Sequence, residues 1–288
     1  MSKATRHPIY YFHASSHIFQ VENILYKLCS SILSSASNVF RDIFAPTQNS
    51  GQIELDGMSD DKPIHLEGIS RDAFELFLEL TFGRIRAGSY TLDELTKFLH
   101  FCDMYQCCHA REFIVSRVFA AHFRFHPAQL INLAIKYHVR SLFPFAFQQL
   151  AETPITEITH AHRELMGNKV FLNVVYVQAA LDHHRRIVAA EEPRILMHSN
   201  DCDDPASCSE DWHATWWNGM GRFLLDGRNP QPYGDAVKRF KDMSFGRVSE
   251  GCKDLMFKIL DEGAAFRHAE HFITEACQFL LEKLVFEP

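Results

Sequence analysis

The stretch ILYKLCSSILSSASNVFRDIF, residues 24–44, joins a strand-like apolar run to five serines in eight residues and then to a compact F-R-D-I-F. Upstream, Ile18-Phe19-Gln20-Val21 and Ile24-Leu25-Tyr26-Lys27-Leu28 flank Glu22-Asn23, a two-residue connection suited to a tight antiparallel hairpin. Downstream the apolar period becomes helical. Ser30 or Ser31 is placed to cap one short helix and Ser37 a second, with Val39, Phe40, Ile43 and Phe44 facing inward. The serines thus read as caps at the corners of a helical hairpin, where hydroxyls satisfy backbone N–H groups left without intrahelical partners.

Working outward, residues 45–62 form a polar, acidic loop, and Pro63-Ile64-His65-Leu66 reads as a short strand. Ser70 opens a helix with Phe74, Phe77, Leu78 and Thr81 on one side. Thr91-Leu92-Asp93-Glu94 has the capping-box pattern, and a helix over about 108–124 follows. Pro127 fits the first turn of another helix, with Leu130, Leu133, Ala134 and Tyr137. A long helix over about 168–190 carries Val170, Val174, Val177, Leu181 and Val188. Ser209 is placed to cap a helix with Trp212, Trp216, Met220 and Phe223, and the last helix carries Phe266, Ala269, Phe272, Ala276, Phe279 and Leu280. The fold class is α+β: a small N-terminal sheet flanked by helices, then a mostly helical C-terminal half. The expected division is 1–126 as one domain, 127–195 as a helical extension, 196–211 as an acidic linker or loop, and 212–288 as C-terminal helices packing on the extension.

The 288 residues suffice for two domains without disulfide or metal support. A net charge of -7 excludes general attraction to nucleic acid and to anionic membrane, and no uninterrupted apolar run is long enough to span a bilayer. No secretory signal core is evident at the N-terminus, so the eight cysteines are read in a reducing compartment, cytoplasmic or nuclear, mostly as core filling.

Three segments together resemble a BTB/POZ domain: FQVENILYKLCSSILSSASNVFRDIF (19–44), PIHLEGISRDAFELFLELTFG (63–83) and LTKFLHFCDMYQCCHAREFIVSRV (95–118). With its long loop after F-R-D-I-F and its helical tail, the chain is similar to the BTB proteins of mushroom-forming fungi. The resemblance implies a non-enzymatic protein-interaction module that self-associates as a homodimer or binds a scaffold. It also offers an alternative, a substrate adaptor of a cullin ubiquitin ligase. By the same resemblance a dimer pairs through the first helix and the strand Ile9-Tyr10-Tyr11-Phe12, and the nearest match to a cullin-contacting motif is Met58-Ser59-Asp60. Two positions depart from the family pattern: Cys29 stands where a histidine is frequent, and His17 where an aspartate is usual.

Other clusters carry competing readings. His198, Cys202, Cys208 and His213 are all possible zinc ligands, the basis of a second alternative, a metal-dependent enzyme or metal-stabilised protein. Their spacing, H-x3-C-x5-C-x4-H, matches no standard zinc motif, and the interleaved Asp201, Asp203 and Asp204 fit a solvated linker. The sequence reading therefore assigns no metal and no cofactor. His122 and His126 lack a third ligand, and His268 and His271 do not form H-E-x-x-H. Trp212 and Trp216 share a helix face and read either as core or as anchors for a partner protein. No catalytic residue is assigned: G-x-S-x-G, P-loop and C-x-x-C patterns are missing, and Gly219-Met220-Gly221 reads as a packing site.

Overall fold

The structure, a computed structural model, describes residues 4–45, 56–84, 88, 90–227, 231–262 and 268–284. The readings that placed a loop over 46–55 and Phe266 and the side chain of Ala269 in the core lie outside the described residues. The fold is α+β and divides into two compact units, one comprising 1–126 with 133–139 and the other 127–132 with 140–288.

The first unit starts with β1 (Thr5–Tyr11), β2 (His17–Val21) and β3 (Ile24–Leu28). The hairpin turns at Glu22-Asn23 as the sequence predicts, pairing Val21 with Ile24 and His17 with Leu28. Glu22 takes a positive φ of 53° to make so short a turn. Helices α1 (Ser30–Ala36) and α2 (Asn38–Ile43) form the helical hairpin. The chain returns through β4 (Ile64–His65), parallel to β2, giving the sheet order β1-β3-β2-β4. Three helices complete the unit's main elements: α3 (Arg71–Thr81), α4 (Leu92–Met104) and α5 (Cys108–Ala120). The capping box at Thr91 and Glu94 is present.

The serine reading holds at one corner and fails at the other. Ser37 caps α2, its hydroxyl accepting the Phe40 N–H, whereas the residue before α1 is Cys29, with no side-chain cap. Ser30 is already helical, and its N–H is satisfied from outside the helix by the Ser16 hydroxyl. Of the expected core, Phe19, Leu33, Phe40, Phe74 and Leu78 are fully buried; Val39 and Phe44 are half-buried, and Ile43 is exposed. A six-residue helix has room for only one buried face, and Phe40 takes it. Its ring stacks on Phe77 and Tyr105 and meets Phe19 edge-on. Phe40→Ala should cost the first unit about 3–5 kcal/mol, read as a lowered urea midpoint.

His7 is buried in β1. Its Nδ1 accepts the N–H groups of Ile9 and Tyr10, while Nε2 lies 3.2 Å from Glu75. Glu75 also accepts from Tyr26 and Arg71. Burial lowers the His7 pKa, with the nearby Arg71 charge acting the same way and Glu75 opposing. A folded-state pKa below about 6.5 means that the unfolded chain binds the extra proton first, so this contribution to stability is present above pH ~6.5 and is lost as pH falls below it. Burial lowers His17 in the same direction. The urea midpoint of the first unit should therefore fall between pH 7.5 and 5.5, roughly the range over which a histidine changes charge, and His7→Asn should flatten that slope.

The second unit contains α7 (Leu142–Glu152), α8 (His160–Ala190), α9 (Pro205–Trp216), the short α10 (Arg222–Leu224), α11 (Tyr233–Lys241), α12 (Glu250–Glu262) and α13 (His268–Lys283). Helix α6 (Pro127–Lys136) lies between α5 and α7 in the chain, its first six residues grouping with the second unit and the rest with the first. The valines expected along α8 are buried, and the helix breaks locally at Gly167, whose φ of 76° and ψ of 156° are non-helical. Phe279, expected in the core, is 47% exposed. Residues 196–211 lie inside the second unit, and 205–211 are the first turns of α9. That helix is capped by Asp204, five residues before the expected Ser209 cap, because the Asp204 carboxylate accepts the Ser207 N–H and proline suits the first helical position. Among the described residues, no helix is long and apolar enough to cross a membrane.

Candidate metal centre

The second unit is built around Trp212 and Trp216, which are 1% and 0% exposed. Their indole N–H groups donate to the carbonyls of Pro193 and Ala189, at 2.8 and 2.9 Å, just past and within the last turn of α8. Phe240 meets both rings edge-on, and Phe245 stacks on Trp212. The two tryptophans are core, which overturns the reading of them as exposed anchors for a partner. Gly219 is indeed a packing position: a Cβ there would lie 2.6 Å from Phe240 and from Met243.

The chain leaving α8 passes over α9 and delivers His198 and Cys202 to Cys208. Cys252, in the first turn of α12, completes the group. The ligand atoms of His198, Cys202, Cys208 and Cys252 all lie within 4.8 Å of one another. His198 Nδ1 is 3.3 Å from Cys202 Sγ and 3.5 Å from Cys252 Sγ. Cys208 and Cys252 are fully buried among the apolar side chains of the tryptophan core, and Cys202 packs against it.

Three of the four donors, His198, Cys202 and Cys252, are held from behind. His198 Nε2 is 3.3 Å from the Ser209 hydroxyl, which leaves Nδ1 directed at the sulfurs. The Ser199 N–H donates to Cys252 Sγ at 3.2 Å, and the Ser199 hydroxyl lies 3.2 Å from the same sulfur. Cys202 is turned inward by a bond from its N–H to the Ser199 carbonyl. The Ser249 hydroxyl accepts the Cys252 N–H at the start of α12, and Asp201 accepts the Gly251 N–H. Gly251 is required there: a Cβ would strike the Asp201 carboxylate and lie 2.7 Å from Ser199 Cβ.

Burial pushes the Cys208 thiol up, helped by the adjoining sulfurs of Cys202 and Cys252. Burial acts upward on Cys252 too, but hydrogen bonds from Ser199, Ser249 and His198 outweigh it and bring this thiol down. A thiol at a helix N-terminus, facing donors, is the one most ready to become a thiolate. A second tie sits nearby. Arg247 grips Asp211 of α9 through its guanidinium and its own N–H and reaches the Ser207 hydroxyl. The same contacts hold the Asp211 carboxyl down to about 2.

Three of the four ligands expected from the sequence come together, and the fourth is corrected. His213 is exposed and lies 2.5 Å from Glu192. Five residues after Cys208 on a helix of 100° per residue, it points about 140° away from it. Cys252, 54 residues after His198, takes its place. The sequence reading missed it because an isolated cysteine in an amphipathic helix looks like core filling. The available signal was Ser249, three residues ahead of it at a helix start.

Of the other candidate residues, Met58, Asp60, the strand 9–12, His122 and His126 fall in the first unit, and His268 and His271 in the second. Met58 is 64% exposed, but Asp60 is engaged within the unit, accepting from the Tyr11 hydroxyl at 2.6 Å and from Arg6 Nε at 2.8 Å. The Tyr11 bond, opposed by burial and supported by Arg6, holds its carboxyl below the usual range. Of the four residues expected at the dimer strand, Ile9 is exposed at 52%, and Tyr11 and Phe12 are half-buried. Tyr10 is buried, stacked near His7 and Phe82, and Phe12 packs edge-on against Phe82. His122 bonds to the Phe119 carbonyl through its own ring, and His271 pairs with Glu275. The side chain of His268 lies outside the described residues.

Comparison with family models, with curated proteins and with solved structures finds no match to this chain.

Of the chain's three tryptophans, Trp217 is the exposed one, at 42%. Acrylamide should quench the wild-type fluorescence in two components, and Trp217→Phe should abolish the accessible one. Persistent quenching in that variant would place Trp212 or Trp216 at the surface.

Proposed function

We propose that the chain is a non-enzymatic protein-interaction protein whose first 126 residues act as a BTB/POZ-type module. The observation that carries this reading is the order of elements in the first unit. A strand hairpin leads to a helical hairpin, then a short strand returns parallel to β2, followed by α3 and the α4–α5 pair. This is the order the sequence resemblance implies. The exposed Ile9 on β1, an edge strand of the sheet, and the exposed serines of α1 offer the surface for self-association. A reducing, cytoplasmic or nuclear setting suits a chain with eight free cysteines.

The cullin-adaptor alternative loses support from Asp60, because a carboxylate that already holds Arg6 and Tyr11 must break those bonds to meet a partner. Met58 remains free to contribute. The metal-dependent enzyme alternative also loses support. With four protein donors around one point, a tetrahedral ion has no open position for water or substrate.

Sedimentation velocity of the full chain tests the reading. A concentration-dependent dimer is expected, with Ile9→Asp weakening it by at least about tenfold, or about 1.4 kcal/mol, and leaving the melting temperature unchanged. A monomer at every accessible concentration removes self-association. Affinity capture from native cells then separates scaffold from adaptor: a cullin recovered with wild type and lost with Met58→Asp makes the protein an adaptor.

A further inference from the structure

We propose that His198, Cys202, Cys208 and Cys252 bind one zinc ion that acts as a structural clamp inside the second unit. Four observations meet here. The donors are three sulfurs and one imidazole, the set that soft, borderline divalent zinc prefers. The ligand atoms all lie within 4.8 Å of one another, and the two imidazole–sulfur separations are close to what a tetrahedron needs. With Zn–S near 2.3 Å and Zn–N near 2.0 Å, ligand atoms sit roughly 3.5–3.8 Å apart, against 3.3 and 3.5 Å for the two imidazole–sulfur separations. The imidazole has a partner on its far nitrogen in Ser209, the outer-shell contact that fixes the orientation of a metal-ligating histidine. The sulfur of Cys252 receives the Ser199 N–H, a donor suited to a thiolate rather than to a neutral thiol.

The position in the fold explains what the ion contributes. His198 and Cys202 lie on the loop between α8 and α9, Cys208 on α9 and Cys252 on α12, so one ion ties a loop to two helices that are distant in sequence. Two of its ligands are buried in the tryptophan core. As the ion binds, each thiol loses its proton to water, a Zn–S bond forms, and nothing is oxidised or reduced. All four positions are filled by protein, so the ion is closed to substrate, and binding free energy becomes folding free energy for this unit.

The competing chemistry is a disulfide among the three clustered thiols. The two alternatives separate in one preparation. The full chain is expressed and purified in reducing buffer without added metal, and metals are measured by plasma mass spectrometry. One zinc per chain is expected, with a chelator plus a thiol reagent releasing it and lowering the melting temperature. Cys252→Ser should retain less than about a tenth of the zinc, while Cys277→Ser, a buried cysteine outside the cluster, retains all of it. Should Cys252→Ser fail to fold, X-ray absorption on the wild-type protein decides. Three sulfurs and one nitrogen around zinc support the site, and His198→Cys should convert that shell to four sulfurs while still holding one ion. An oxygen-rich shell, a different metal, full zinc retention in Cys252→Ser, or a metal-free chain that stays so after dialysis against zinc would each overturn the proposal. A disulfide among Cys202, Cys208 and Cys252 in the metal-free chain would identify the cluster as a thiol–disulfide pair instead.

Discussion

A single hydroxyl organises the first unit. Ser37 is 3% exposed; its oxygen accepts the Phe40 N–H and donates to the Tyr105 carbonyl at 2.5 Å, 68 residues away. The first bond starts α2. The second fixes α2 against the end of α4, where Tyr105 stacks on Phe40 and Phe101. Few side chains are short enough to do both. Alanine at this position would leave the buried Phe40 N–H unpaired, at a cost of about 1–3 kcal/mol, and would leave the Tyr105 carbonyl only the Cys107 thiol. The aromatic cluster that closes over the sheet depends on this polar bridge, because ring stacking sets no register between elements and a directional bond does.

The second unit solves the same problem with different groups. The last carbonyls of a helix have no partners within it, and at the end of α8 an indole N–H from α9 supplies one. Trp216 takes Ala189 and Trp212 takes Pro193. These bonds make the outgoing chain run back along α9 instead of departing from it. That path is what carries His198 and Cys202 to the buried Cys208. The donor cluster is thus a consequence of how one helix ends, and Gly251 allows α12 to approach the returning loop closely enough to add Cys252.

What was legible in the sequence follows from how local each cause is. The hairpin was legible because two residues leave one register, and the α8 valines because their period repeats over many turns. The cap at Ser37 was legible; the one assigned to Ser30 or Ser31 was not, since the partner that replaces it, Ser16, lies outside the helix. Ile43 and Phe279 follow the apolar period yet sit at the surface, because the width of a buried face depends on what packs against it. The donor cluster was three-quarters legible. Its fourth member needed the path of the chain between α9 and α12, which no spacing rule encodes, whereas the wrong choice of His213 was correctable by helix geometry alone.

Asp201 and Asp204 show where composition misleads. An acidic, aperiodic run with two cysteines resembles a solvated tether, and its residue types are those that a tether uses. The structure employs Asp204 to start α9 and Asp201 to receive the Gly251 N–H at the start of α12. Both carboxyls are held below their ordinary range, Asp204 by the Ser207 hydroxyl and N–H, and Asp201 by the Ser199 hydroxyl and the Gly251 N–H. A carboxylate at a helix N-terminus meets unpaired N–H donors and the positive end of the helix dipole, so the same polar residue is solvent-seeking in a tether and structure-seeking beside a helix start. Two such starts flank this loop in space, one of them distant in sequence. A segment of this composition is therefore ordered or free according to how many helix termini it can reach, and here it reaches two.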